Sequence, residues 1–214
     1  MREAAFGNPA PARQLAADAL KIAPTSSGAE AEAALAFAMA GDMERAQSLA
    51  HDLNQRFPLN NQMQSLWLAP IQGQLALDRK NPAAALASLQ AATPIELGQV
   101  QFLINISCLY PTYIRGEAYL AGGQGKEAAA EFQKIIDHSG IVWNCWTGAL
   151  AHLGVARANA LQSKTLQGQK QEADADAARV RALAAYKEFL TLWKDADPDI
   201  PILKQAKAEY TKLQ

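Results

Sequence analysis

The stretch YPTYIRGEAYLAGGQGKEAAAEFQKIIDHSG, residues 110–140, decides the fold. Its apolar and small residues recur at helical spacing on either side of GGQG, residues 122–125, so it reads as one helix, a tight turn and a second helix. Gly116 and Ala128 place small residues where two such helices must approach closely, and Gly123 falls in the turn. Tyr119 and Phe132 are each the aromatic of their helix, sized to fill the gap to a neighbouring unit, with Ile135 one turn further on.

The same pattern recurs outward from this unit. Residues 29–58, AEAEAALAFAMAGDMERAQSLAHDLNQRFP, hold a small-residue helix that stops at Gly41, with Asp42 able to cap the next. That next helix carries Ala46, Ala50 and Leu53 on one face and ends at Phe57 and Pro58, since proline cannot continue it. In PIQGQLALDRKNPAAALASLQAATP, residues 70–94, Gly73 is the close-packing residue, Asn81 and Pro82 open the second helix, and Ala85, Leu89 and Ala92 form its stripe. A fourth unit begins at ALAHLGVARANAL, with Leu153 and Gly154 at the contact, and resumes through Ala182, Tyr186 and Phe189. The order of small, aromatic, turn, small and terminal-proline positions, best seen at Ala34, Phe37, Gly41, Ala46 and Pro58, resembles the tetratricopeptide repeat, with Glu30 in place of its usual Trp. The resemblance implies an all-α, right-handed superhelix of antiparallel helix pairs, near 29–58, 62–94, 110–139 and 147–194.

Residues 11–23 read as the second helix of an earlier unit whose first helix is missing or reduced to Glu3–Phe6. Residues 201–213 form an amphipathic helix with Leu203, Ala206, Tyr210 and Leu213 on one face, a cap on the last pair. Ala46, Ala85, Ala128 and Ala182 are spaced by 39, 43 and 54 residues, against a standard period of about 34, so the connectors are long. One contains the apolar run from Val100 to Tyr110, which is expected to pack as a helix or helical turn against the groove or an edge. The polar insert at 162–177 either lengthens two helices or forms a mobile loop near Gly168. Pro70 either starts its helix or kinks a longer one.

Composition agrees with helices: about a fifth of the chain is alanine and only 7% is aromatic. Twenty Lys and Arg against 21 Asp and Glu give a net charge of −1, so no basic field exists to hold a phosphate backbone, and nucleic acid is not an expected partner. No stretch is long and apolar enough to span a membrane, and the first residues lack the apolar core of a signal peptide. Two buried thiols is the reading favoured for Cys108 and Cys145, with a disulfide as the alternative, and the compartment stays open.

Catalytic chemistry finds little support. His51, His138 and His152 are too far apart in sequence for a helix-face metal pair, and Ser107 and Ser139 lie in no GxSxG context. GGQG followed by Lys126 lacks the spacing of a phosphate loop. No catalytic, metal-binding or cofactor-binding residues are therefore expected. The candidate site is the concave face, where the repeat frame places Trp67, Gln74 and Asp78 in the second unit and Tyr110, Tyr113 and Glu117 in the third. Such a mixed aromatic and polar surface suits a peptide, because rigid aromatics contribute area and polar groups fix register. Against this, Trp67 and Tyr110 could simply pack on the connectors, Trp143 and Trp146 could be core, and Glu117 could pair with Arg115 or a neighbouring helix. The lysine and asparagine set with which some tetratricopeptide domains clamp a C-terminal carboxylate is replaced by Ala31, Pro70, Tyr113 and Ala151, then Leu35, Gln74, Glu117 and Val155, which disfavours that partner class.

IRGEAYLAGGQGKEAAAEFQKIIDHSGIV, GALAHLGVARA and above all the ending FLTLWKDADPDIPILKQAKAEYTKLQ resemble the C-terminal tetratricopeptide region of bacterial serine/threonine protein kinases. The resemblance implies a sensing or docking module, outside the cytoplasm where a membrane segment separates it from the kinase domain. It does not carry catalysis over, because GxGxxG, VAIK, HRD and DFG are all absent. A protein or peptide partner in the groove is the expected function. Self-association that brings kinase domains together is the alternative, and a small-molecule site beside Val100–Tyr110 a third.

Overall fold

The computed structural model describes residues 1–98 and 108–214. These residues form an all-α fold of twelve α-helices, with no strand among them: α1 (Arg2–Ala5), α2 (Pro9–Ile22), α3 (Ser27–Met39), α4 (Met43–Arg56), α5 (Ala69–Asp78), α6 (Pro82–Leu89), α7 (Tyr110–Ala121), α8 (Gly125–Asp137), α9 (Ser139–Val142), α10 (Trp146–Gly168), α11 (Glu172–Leu192) and α12 (Pro201–Leu213). Successive helices pack as pairs, α3 on α4, α5 on α6, α7 on α8 and α10 on α11, and each pair also packs on the next.

One backbone device builds every pair. The turns contain a left-handed residue, Gly7, Gly41, Lys80, Gly123 or Lys170, with φ between 59° and 89°. In each, the residue after it donates its N–H back to a carbonyl five positions earlier: Asn8 to Glu3, Asp42 to Phe37, Asn81 to Ala76, Gln124 to Tyr119 and Gln171 to Leu166. This is the six-to-one bond of a Schellman motif, which closes the first helix. The donor then precedes the second helix, and the Asp42 and Asn81 side chains cap it by accepting from the Arg45 and Ala84 N–H groups. The early turn at Gly7 makes α1 and α2 a pair of the same kind, so the first helix of the earlier unit is present but only four residues long.

Three of the four pairs carry a fully enclosed phenylalanine. Phe37, Phe132 and Phe189 are all at most 1% exposed. The Phe132 ring lies against Gly116 of α7 and Gly154 of α10, where an added Cβ would come within 2.7 Å and 2.5 Å of it. Real side chains do not approach that closely, so the helix spacing around Phe132 depends on two missing methyl groups.

Three open expectations are decided. Pro70 sits inside a longer helical run, because a π-helical segment, Met63–Leu68, leads directly into α5. The Ala69 N–H reaches the Gln64 carbonyl, and this wider turn gives a proline ring room that an α-helical register would deny it. The polar insert is helical, ending α10 and starting α11, with the Ser163 hydroxyl donating to the Ala175 carbonyl at 2.8 Å. The favoured reading of two buried thiols is corrected: Cys108 and Cys145 form a disulfide, their Cα atoms 5.7 Å apart. Sequence could not bring them together, since they are 37 positions apart with three helices between them. The apolar run from Val100 lies outside the described residues up to Cys108; beyond it, Leu109 is fully buried and Tyr110 begins α7.

The first and last helices also meet. The Phe6 ring packs edge-on against Trp193 at 4.9 Å, and the Ile202 N–H donates to the Phe6 carbonyl at 3.1 Å. Thus α12 packs on α11 and also meets the chain just after α1.

Two substitutions probe these devices by urea unfolding. Gly154→Ala should cost about 2 kcal/mol through overpacking against Phe132, and less in a Phe132→Leu background, where the two changes share one space. Lys80→Gly should stabilise by roughly 0.5–1 kcal/mol, because it removes a left-handed lysine at a turn that glycine fits without strain.

Candidate functional site

Residues of α1, α3, α5, α7, α10 and α12 surround a cavity of about 420 Å³. Gln74 and Asp78 reach it from α5, Tyr113 and Glu117 from α7, and Arg157 from α10; Ala4, Ala5 and Ile202 close one side, where α1 and α12 come together. Gln74 and Asp78 are one helical turn apart, as are Tyr113 and Glu117, so each helix offers one face with two polar groups.

Four of the six sequence-predicted groove residues therefore line a common space. The other two lie beneath it. Trp67 is 3% and Tyr110 5% exposed, and they form an aromatic cluster: Trp67 contacts Tyr110 at 5.7 Å, Tyr110 stacks on Trp146 at 5.7 Å, and Trp146 meets Tyr113 edge-on at 4.9 Å. Tyr113 also packs edge-on against Phe132 at 5.5 Å. Tyr113 is thus both cavity wall and core, held between Trp146 and the ring that sets the helix spacing. Trp143, by contrast, is 66% exposed.

Among the described residues the cavity's carboxyl groups form no salt bridge. Gln74 donates from Nε2 to Asp78 Oδ1 at 3.0 Å, while Asp78 Oδ2 is buried with no hydrogen-bond partner among the described residues. Burial raises the Asp78 carboxyl above the ordinary range, against the opposing pull of Gln74, Lys80 and Arg79. Glu117 is also raised, chiefly by burial; Arg157 and the Tyr113 hydroxyl oppose this and Glu209 adds to it. Burial and the nearby Glu117 charge push the Tyr113 phenol well above its usual range, so it stays protonated.

Arg157 does not neutralise Glu117, because its guanidinium forks onto Glu209 of α12, with Nε to Oε2 at 2.9 Å and Nη2 to Oε1 at 3.0 Å. The Tyr186 hydroxyl donates to the same Glu209 at 2.9 Å, so α10, α11 and α12 share one knot. Nor does Arg115 pair with Glu117. It turns to the other side of α7 and bonds Glu96 at 2.6 Å and Glu131 at 2.9 Å, with Lys134 joining both acids. The sequence reading missed Arg157, Glu209 and Tyr186, since partners 52 and 23 residues apart share no spacing rule.

The three histidines are scattered: His51 bonds Gln55, His138 bonds the Lys134 carbonyl, and His152 faces Glu188. Among the described residues no three His, Cys, Asp or Glu side chains gather as a metal site. GGQG forms the α7–α8 turn. Comparison with known proteins finds no matching family model, no matching curated protein and no matching solved structure.

The raised carboxyls fix a sign for stability against pH. An acid whose folded pKa lies above its unfolded value stabilises the fold while protonated and loses that contribution as pH rises through the folded pKa. Asp78→Asn with Glu117→Gln removes the ionisation and keeps the hydrogen-bonding shape. The double variant should gain in urea midpoint relative to wild type at pH 7, with a smaller gain at pH 4.

Proposed function

We propose that this chain is a non-catalytic protein-interaction or sensory module of tetratricopeptide-like build, and that its concave cavity takes a peptide or protein segment. The observation that carries the reading is the cavity itself: Gln74, Asp78, Tyr113 and Glu117 converge on one space, and neither carboxyl group forms a salt bridge among the described residues. Unpaired acids in a half-enclosed site lower stability, and proteins retain such features where function needs them. The recurring turns, at Gly7, Gly41, Lys80, Gly123 and Lys170, support a repeat architecture over an arbitrary bundle.

We further propose that the chain is the C-terminal region of a bacterial serine/threonine protein kinase, on the strength of the phrases at 114–142, 148–158 and 189–214. In that setting it would recognise a partner while a separate domain performs phosphoryl transfer. The Cys108–Cys145 disulfide supports a position facing an oxidising compartment. Among the described residues no helix is long and apolar enough to cross a membrane.

Selection from a displayed library of random peptides tests the cavity directly. Wild-type protein should enrich a family of related sequences, and Gln74→Ala with Glu117→Ala should weaken the best of them at least about tenfold, a loss of about 1.4 kcal/mol. A control change at exposed Val180 should leave binding intact. Absence of any enriched family, or equal binding by the cavity variant, would overturn the proposal.

A further inference from the structure

We propose that the Cys108–Cys145 disulfide is a redox-sensitive clasp on the cavity wall, released by a dithiol without unfolding the helical pairs. This stands whether or not the cavity takes a peptide, because it rests on different residues.

The disulfide joins two helix starts. Cys108 lies two residues before α7, and Cys145 directly precedes α10. The Thr147 hydroxyl donates to the Cys108 carbonyl at 2.6 Å, a second tie across the same gap. The first residues of the two helices, Tyr110 and Trp146, stack on each other, and Trp146 holds Tyr113 edge-on in the cavity wall. A short chain of contacts therefore runs from the disulfide through two aromatic rings to the cavity.

The backbone at the clasp is held where it would not rest by itself. Five non-glycine residues have positive φ among the described residues; Lys80 and Lys170 are the turn residues of helix pairs, and the other three are Cys108 (47°), Leu109 (53°) and Trp143 (49°). All three lie within two residues of a half-cystine. Left-handed backbone is costly for a side chain with a Cβ and persists only where its surroundings impose it. Trp143 closes α9, its N–H donating to the Ser139 carbonyl; Cys108 and Leu109 close no helix and have no side-chain cap among the described residues, and the covalent tie to Cys145 accounts for them.

The two sulfurs differ in access. Cys108 is 8% exposed, whereas Cys145 is half-buried and lines an open cleft of about 480 Å³ beside exposed Trp143. A dithiol entering this cleft would attack the Cys145 sulfur as a thiolate, forming a mixed disulfide and expelling Cys108 as a thiolate that takes up a proton. The dithiol's second thiolate then closes on the first, and Cys145 leaves and is protonated. Two electrons pass to the protein disulfide, and the dithiol is oxidised to its own disulfide. With the tie cut, Cys108 and Leu109 are free to leave the left-handed region, and the Tyr110–Trp146 stack loosens with them. The Phe37 and Phe189 contacts lie elsewhere, and Phe132, although it touches Tyr113, stays seated against Gly116 and Gly154, so the pairs hold together.

Reduction of the whole chain by dithiothreitol, followed by air reoxidation, tests this. Untreated protein should show no alkylatable thiol and reduced protein two. Reduction should leave far-ultraviolet circular dichroism unchanged and diminish the near-ultraviolet aromatic signal. Amide exchange should speed up at least about tenfold over 108–114 and 143–150 while staying constant over 31–38 and 178–189, and reoxidation should reverse all three. Cys108→Ser with Cys145→Ser should reproduce the reduced signature without reagent; if that variant fails to fold, the reduced wild type carries the test. Free thiols in the untreated protein, unchanged aromatic signal and exchange after reduction, or loss of helix throughout would each overturn the clasp.

Discussion

The structure depends on how closely helices α7, α8 and α10 approach around the Phe132 ring. Gly116 and Gly154 flank that ring from two helices, and a methyl group at either would occupy the ring's own space. This single close approach sets the spacing between the third and fourth helix pairs. It also places Tyr113, which packs on Phe132 from one side and on Trp146 from another. The cavity wall is therefore a by-product of core packing, and a residue facing the cavity is positioned by residues that never reach it.

Around that constraint the chain closes on itself. Helix pairs packed in a row leave two ends, and here the ends meet through Phe6, Trp193 and Ile202. The knot of Arg157, Glu209 and Tyr186 fixes α12 against the last pair, so the closing helix is anchored by a forked ion pair as well as by apolar contact. That knot engages the one guanidinium lining the cavity among the described residues, where Asp78 and Glu117 form no salt bridge. Most of the local positive charge is spent on structure, and Lys80 is the other cation among the described residues lining the cavity. The buried network of Arg115, Glu96 and Glu131 makes the same division on the opposite side of α7.

Much of this was legible in the sequence because it rests on local spacing. Small residues at Gly116, Ala128 and Gly154, aromatics at Phe37, Phe132 and Phe189, and the turns at Gly41 and Gly123 follow from what helices need when they pack in pairs. The turns at Lys80 and Lys170 were not legible as left-handed, since lysine carries no signal for that conformation; neighbouring Asn81 marked one boundary, and nothing comparable marked Gln171. Within the site, Gln74, Asp78, Tyr113 and Glu117 followed from helical periodicity. Trp67 and Tyr110 share that periodicity, but Trp146 arrives from a later helix and buries Tyr110 in an aromatic cluster. The disulfide, the Arg157–Glu209 pair and the meeting of the two ends are long-range facts with no local spacing to betray them.

The central claim is that the inside of the helical array, and not its outer face, meets the partner. Site-specific photo-crosslinking in the cell that makes the protein tests it most directly, with a photoreactive residue at cavity-lining Leu77 or at exposed Val180 of α11. The account predicts discrete crosslinked species from position 77 and none from position 180. Adducts from position 180 with none from position 77 would place the interaction on the outer face and contradict it.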